Sequence, residues 1–131
     1  MRNKPLSFLC MAVALLLVSS AMFAHHGTAA YDMTKLTTLK GTVTDFRFIN
    51  PHSEIYFDVK DDKDNVENWI AEANSVPVLS RFGWNKTTLK PGDQIIAAGN
   101  RSKNGSTTMH LRKIVLSNGQ ELSVDRDYDN Y

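Results

Sequence analysis

Apolar and polar residues alternate in short runs from residue 36 to residue 124, which is the pattern of half-buried β-strands. In the clearest run, Ile55, Phe57 and Val59 share one side of the predicted strand. Between residues 36 and 48 the apolar positions change sides near Thr44 and Asp45, which predicts a β-bulge. The pattern predicts six strands, over residues 36–48, 54–59, 66–73, 94–99, 107–116 and 120–124.

A short helix is predicted between the third and the fourth strand. Asn74 or Ser75 is suited to its N-cap, and Pro77 fits its first turn, where a missing amide hydrogen removes no hydrogen bond. Gly83 favours the left-handed conformation that ends many helices. The Asn-Gly dipeptide at residues 118–119 predicts a two-residue hairpin turn between the last two strands.

Three strands, a helix and two strands, with a bulge in the first strand, follow the order of the OB-fold. The sequence therefore predicts an all-β chain with one short helix, folded as an OB-fold-like Greek-key barrel of five to six strands. An open meander with the helix across one face is the alternative. The predicted core consists of Leu39, Val43, Phe57, Val59, Trp69, Ala71, Leu79, Phe82, Ile95, Leu111 and Val115.

Residues 1–24 follow a different pattern, because two basic residues precede an apolar stretch from 6 to 18 and a region of small residues. This arrangement predicts a secretory signal peptide, cleaved after Ala24 or after Ala21. A membrane anchor is the alternative, but a helix that spans a bilayer needs about 20 apolar residues, and this stretch is shorter. We expect a periplasmic protein that does not span the membrane after cleavage.

Removal of the leader leaves one unit of domain size. We expect an N-terminal segment over residues 25–35, the barrel over 36–124 and a flexible acidic tail over 125–131.

The 131-residue chain has 15 basic and 14 acidic residues, so that without Arg2 and Lys4 the mature part has 13 basic residues against 14 acidic ones. A nearly neutral chain without a stripe of Lys and Arg argues against nucleic-acid binding.

The mature part lacks the sequence signatures of common catalytic sites. The chain's one cysteine, Cys10, lies in the leader. Neither a Gly-x-Ser-x-Gly motif nor a phosphate-binding glycine loop occurs in the sequence. We therefore expect a binding module rather than an enzyme.

Three histidines are the strongest candidates for chemistry. His25 and His26 directly follow the leader, where imidazoles, backbone nitrogens and, after cleavage at Ala24, a free α-amine can chelate a metal. His52 lies in the loop after the first predicted strand. Glu72, on the third, is predicted to share its face, as a ligand or as the carboxylate that orients one. The sequence predicts that His25, His26 and His52 bind one Cu(II) or Zn(II) ion, with Glu72 nearby.

The shared site requires the segment 25–35 to fold back across the barrel, so Tyr31 is expected to be partly buried as an anchor. Plainer interpretations stay open: the histidine pair forms a mobile spacer, His52 only bonds its own turn, and Glu72 faces solvent. His110 is interpreted as a half-exposed strand residue outside the site.

A second functional hypothesis rests on an aromatic residue. Trp84 follows the predicted end of the helix and is the candidate for an exposed aromatic side chain on the barrel face. In this alternative the protein is a non-catalytic envelope interaction protein that binds a protein or a glycan, and the histidines are incidental.

Short motifs mark the mature chain, namely His25-His26, Gly41-Thr42-Val43, Asn50-Pro51-His52-Ser53, Gly83-Trp84 and Leu89-Lys90-Pro91-Gly92-Asp93. With these motifs the chain resembles a family of small exported bacterial proteins classed as a domain of unknown function, over nearly all of residues 25–124. The resemblance implies a periplasmic location and a single domain. It implies no established activity and therefore no catalytic residues.

Overall fold

The computed structural model describes residues 26–126 of the chain. The predicted signal peptide, His25, the side chain of His26 and residues 127–131 of the predicted tail lie outside the described residues. The chain divides into two compact units after Ala30. The first short helix belongs to the first unit, and all six strands belong to the second.

Two helices and six strands make up the described part of the chain. In chain order they are α1 (His26–Ala29), β1 (Tyr31–Arg47), β2 (Glu54–Lys60), β3 (Val66–Glu72), α2 (Val76–Arg81), β4 (Gln94–Ser102), β5 (Thr108–Leu116) and β6 (Glu121–Ser123). The helices among these residues are four and six residues long, and neither has the length and apolar character needed to cross a membrane.

The strands form one sheet in the order β3-β2-β1-β4-β5-β6, and a further parallel pairing between β3 and β5 closes the first five strands into a barrel. β1 is the shared strand, because its first part pairs with β4 and its last part with β2. Thr42 stands at the changeover and pairs with Asp58 on one side and Gln94 on the other. The predicted OB-fold-like barrel is confirmed, and the open meander is wrong.

The register of β1 is irregular at two places. Its pairing with β2 shifts between Val43 and Asp45, which leaves Thr44 as the extra residue and confirms the predicted bulge. Its pairing with β4 passes from Tyr31 opposite Ser102 to Leu36 opposite Asn100, so residues 32–35 stand against one residue of β4.

The second irregularity explains why β1 and β4 are longer than predicted. The polarity pattern predicts that β1 starts at residue 36, because residues 32–35 do not alternate in polarity. The buried side chain of Asn100 donates hydrogen bonds to the carbonyl oxygens of Asp32 and Lys35, at 3.1 and 3.0 Å. These bonds hold the bulge against β4, which extends to Ser102 instead of ending at Gly99.

Most of the predicted core is confirmed. The buried cluster contains Val43, Phe57, Trp69, Ala71, Leu79, Ile95 and Leu111, with Leu39, Val59 and Phe82 packed against it in partly buried positions. The prediction for Val115 is wrong, because it is only half-buried and Ile114 occupies the core. The register between β4 and β5 shifts at Arg112, so the inward-facing positions after Leu111 move by one residue.

The predicted exposure of Trp84 is wrong. Its side chain is only 2% exposed and belongs to the core. Gly83, with φ +85°, turns the chain after α2 as predicted, and this turn directs Trp84 inward rather than outward. The indole Nε1 donates to the carbonyl oxygen of Ser123 at 2.8 Å, so β6 satisfies its polar atom inside the core.

Gly41 lies on β1 where the strand packs closely on β2. A Cβ added there would lie 2.6 Å from the carbonyl oxygen of Asp58 and 2.7 Å from a ring carbon of Phe57. Since the first contact is with backbone, we expect Gly41→Ala to lower the free energy of unfolding by about 1–3 kcal/mol. Urea denaturation of the mature chain measures the change.

Gly27→Ala is the matched control for this substitution. A Cβ at Gly27 meets nothing within 4 Å, and alanine favours helix more than glycine does. We expect this variant to unfold like the wild type. Equal stability of the Gly41→Ala variant and the wild type would contradict the close approach of β1 to β2.

Candidate functional site

The loop between β1 and β2 is fixed to the end of β3. The amide of Ser53 donates to the carbonyl of Asn74 at 3.1 Å, and the amide of Ala73 donates to the carbonyl of Ser53 at 2.8 Å. Asn50, in the same loop, caps α2 by accepting from the amide of Val76 at 2.9 Å, whereas Ser75 at the N-cap makes no side-chain bond. These bonds on both sides of His52 hold it beside the last residues of β3.

His52 presents one ring nitrogen to two acceptors. Its Nδ1 lies 3.3 Å from the carbonyl oxygen of Ala73 and 3.4 Å from Oε1 of Glu72. A proton on Nδ1 satisfies both acceptors and leaves the lone pair on Nε2. Because the side chain is 48% exposed, Nε2 can be reached from solvent. The predicted proximity of His52 and Glu72 is confirmed.

Both oxygens of the Glu72 carboxylate have partners. Oε1 faces His52, and Oε2 accepts a hydrogen bond of 3.0 Å from the hydroxyl of Tyr31. Tyr31 is 8% exposed, which confirms the predicted burial of this anchor at the start of β1. Burial and then the charge of Glu72 raise the pKa of Tyr31 to about 12.

His110 belongs to the same cluster, although the sequence pattern predicts a strand residue outside the site. In the parallel pairing of β3 with β5 it stands opposite Glu72, and its ring lies 5.6 Å from that of Tyr31. Burial lowers the pKa of His110, and the nearby charge of Arg112 lowers it further. Its imidazole is therefore neutral near pH 7. Only the register of β3 against β5, which sequence patterns do not provide, places it here.

We call these four residues, Tyr31, His52, Glu72 and His110, the Glu72 cluster. It brings two imidazoles, a carboxylate and a phenol to the place where β3 and β5 close the barrel. Within residues 26–126, no group of three or more His, Cys, Asp and Glu residues is arranged to hold a metal ion. The predicted meeting of His52 with His25 and His26 involves side chains outside the described residues.

The hydrogen bond from the Tyr31 hydroxyl to Glu72 is predicted to anchor the start of β1, and removal of the hydroxyl tests this prediction. We expect Tyr31→Phe to lower the free energy of unfolding by about 1 kcal/mol at pH 7, because a largely buried hydrogen bond is lost. The pKa of Tyr31 is about 12 in the folded protein and about 10 in the unfolded chain. The hydrogen bond of its neutral hydroxyl therefore stabilises the fold fully below pH 10, and this contribution is lost as the pH rises from 10 towards 12. The difference between wild type and variant should therefore shrink at pH 11.

Urea denaturation at pH 7 and pH 11 measures this difference. Tyr56→Phe is the matched control, because it removes a hydroxyl that donates to Glu54 at a more exposed position. We expect a smaller loss from the control at pH 7. A gap between wild type and Tyr31→Phe that stays constant or widens at pH 11 would contradict the buried bond to Glu72.

Comparison with known proteins places the chain in a family. A search of curated proteins finds no match. The model of a family of unknown function, DUF6152, matches residues 12–111, which include β1 to β4, the loop with His52, and the first part of β5 with His110. This match agrees with the resemblance drawn from the short motifs. The chain therefore belongs to DUF6152, a family of unknown function.

Proposed function

We propose that the mature protein is a periplasmic binding module, exported by its leader, that holds one Cu(II) or Zn(II) ion at the Glu72 cluster. The observation that supports this most strongly is the orientation of His52. Histidines that bind metals usually donate the hydrogen of their other ring nitrogen to a carboxylate or a carbonyl, which fixes the tautomer and the ring. His52 has both acceptors at Nδ1, from Glu72 and from Ala73, and an accessible Nε2.

Glu72 acts in this proposal as a positioning residue rather than a ligand. One carboxylate oxygen faces the His52 ring, and the other is bonded to the Tyr31 hydroxyl. A carboxylate engaged in this way stabilises one orientation of the ring that it touches. The sequence alone is compatible with Glu72 as a ligand or as the carboxylate that orients one, and these two contacts favour orientation.

His25 and His26 are the further ligands that the proposal assigns. Four residues lie between His26 and Tyr31, the residue bonded to Glu72, so the chain length limits the distance between their Cα atoms to roughly 17 Å. After cleavage at Ala24, His25 would add its α-amine. His110, neutral and adjacent, is available as another imidazole.

The ligand types select the metal. Neutral imidazoles suit Cu(II) and Zn(II), whereas Cu(I) prefers thiolates and thioethers. The one cysteine of the sequence is Cys10 in the leader. Of the two methionines after residue 24, Met109 is buried in the core, which leaves Met33 as a single exposed thioether. In this proposal the module is non-catalytic and binds no nucleic acid. The rival hypothesis of a glycan or protein bound through Trp84 loses its support, since that side chain is buried.

Calorimetric titration of the metal-free mature protein with Zn(II) and Cu(II) tests the proposal. We expect binding of one ion. His52→Ala should lower the affinity by about tenfold or more, and Glu72→Gln by about tenfold, because the ring loses its orienting partner. Glu121→Gln, which removes an exposed carboxylate on β6, is the matched control and should bind as the wild type does.

Intact mass of the exported protein, measured on the same preparation, identifies the terminal residue that supplies the α-amine. Equal affinity of the wild type and the His52→Ala variant would refute the shared site, because an amino-terminal chelate alone does not need His52. Absence of metal binding by the wild type would refute the proposed function.

A further inference from the structure

A second surface lies at the start of β1, and no part of the proposed metal site uses it. It is a groove of about 610 Å³, a volume within the range of small-molecule sites. We call it the Arg101 groove, and its lining residues are Asp32, Lys35, Thr37, Arg101, Ser102, Lys103 and Gly105. Three cations and one carboxylate among these residues give the groove a surplus of two positive charges.

Arg101 is held in place without a carboxylate. Its guanidinium carbon lies 4.6 Å from the centre of the Trp69 ring, a cation–π arrangement. In the described part of the chain, no Asp or Glu lies within ion-pair distance of Arg101. Trp69 is a core residue, 1% exposed, so the ring on which the guanidinium packs is itself held in place by the core.

Lys35 is also positioned by a buried group. It ends the bulge of four β1 residues that stand against Arg101 of β4. Asn100, 5% exposed, donates to the carbonyl oxygens at both ends of this bulge, Asp32 and Lys35. Asp32 in turn accepts from the amide and the hydroxyl of Thr34. The backbone that presents Lys35 is therefore fixed.

We propose that the Arg101 groove binds a phosphate monoester group. Such a group carries about −1.5 to −2 charges at pH 7, which matches the surplus of positive charge. Arg101 supplies a planar fork that matches two phosphate oxygens, and Lys35 supplies a point charge. The groove is wider than one phosphate, so it also accommodates the molecule to which the phosphate is attached. That molecule is a soluble phosphorylated compound or the headgroup of a lipid.

Two probes with the same phosphate chemistry distinguish these sources. Glycerol 3-phosphate represents the soluble ligand, and vesicles of phosphatidylcholine with phosphatidic acid represent the lipid. Binding of the mature protein is followed by nuclear magnetic resonance for the soluble probe and by cosedimentation for the vesicles. The indole N–H signal of Trp69 should move on binding of glycerol 3-phosphate, whereas that of Trp84, which is bonded to Ser123 in the core, should not.

Two double variants that each remove two positive charges distinguish a specific site in the groove from nonspecific electrostatic attraction to the protein. Replacement of Arg101 and Lys35 by alanine should weaken binding at least tenfold. Replacement of Arg81 and Lys86, two exposed cations outside the groove, removes the same charge and should change affinity less than twofold. Arg101→Lys keeps the charge and the fold but loses the fork, so it should bind more weakly than the wild type.

Binding of glycerol 3-phosphate supports the soluble source. Sedimentation only with vesicles that contain phosphatidic acid supports the lipid source. The proposal is overturned if neither probe binds, if glycerol binds as well as glycerol 3-phosphate, or if the control double variant loses as much affinity as the groove variant. It is independent of the metal proposal, because no groove residue belongs to the Glu72 cluster.

Discussion

Closure of the barrel depends on three parallel residue pairs between β3 and β5, and one of these pairs brings His110 to the other members of the Glu72 cluster. Glu72 is the last residue of β3, and His110 is its partner on β5. Without this pairing, His110 would have no relation to His52, which reaches Glu72 from the opposite side through the β1–β2 loop. The same closure surrounds the core that contains Trp69, so the candidate site and the stability of the barrel share one origin.

Register irregularities determine which side chains are available at each surface. The four-residue bulge of β1 brings Lys35 towards Arg101, and Asn100 satisfies the carbonyl groups that the bulge leaves without ladder partners. The shift at Arg112 moves Ile114 into the core and leaves Arg112 in an ion pair with Asp125 at 3.3 Å. Among the described residues, every buried side-chain nitrogen and oxygen has a hydrogen-bond partner, so these irregularities leave no unpaired polar atom in the interior.

The alternation of polarity was sufficient to predict the barrel, because each strand buries one side and the bulge at Thr44 changes the pattern visibly. It was insufficient at Val115 and Trp84. A bulge inside the apolar run of β5 leaves no polarity signal, and the burial of Trp84 depends on β6, which is far away in the sequence. Of the site, the contact of His52 with Glu72 could be predicted from strand phase. The inclusion of His110 could not, because it depends on the register of two strands about 40 residues apart.

The start of β1 connects the two candidate surfaces. Tyr31 bonds Glu72 through its side chain and pairs with Ser102 of β4 through its backbone, and the bulge that lines the Arg101 groove begins at the next residue. The bulge is therefore fixed at both ends, by Tyr31 on one side and by the pairing of Leu36 with Asn100 on the other. In a bulge of four residues held only by surface contacts, the free-energy cost of ordering the backbone would exceed the free energy gained from those contacts. The buried anchors at Tyr31 and Asn100 offset that cost, which explains why a polar segment without alternation continues the strand.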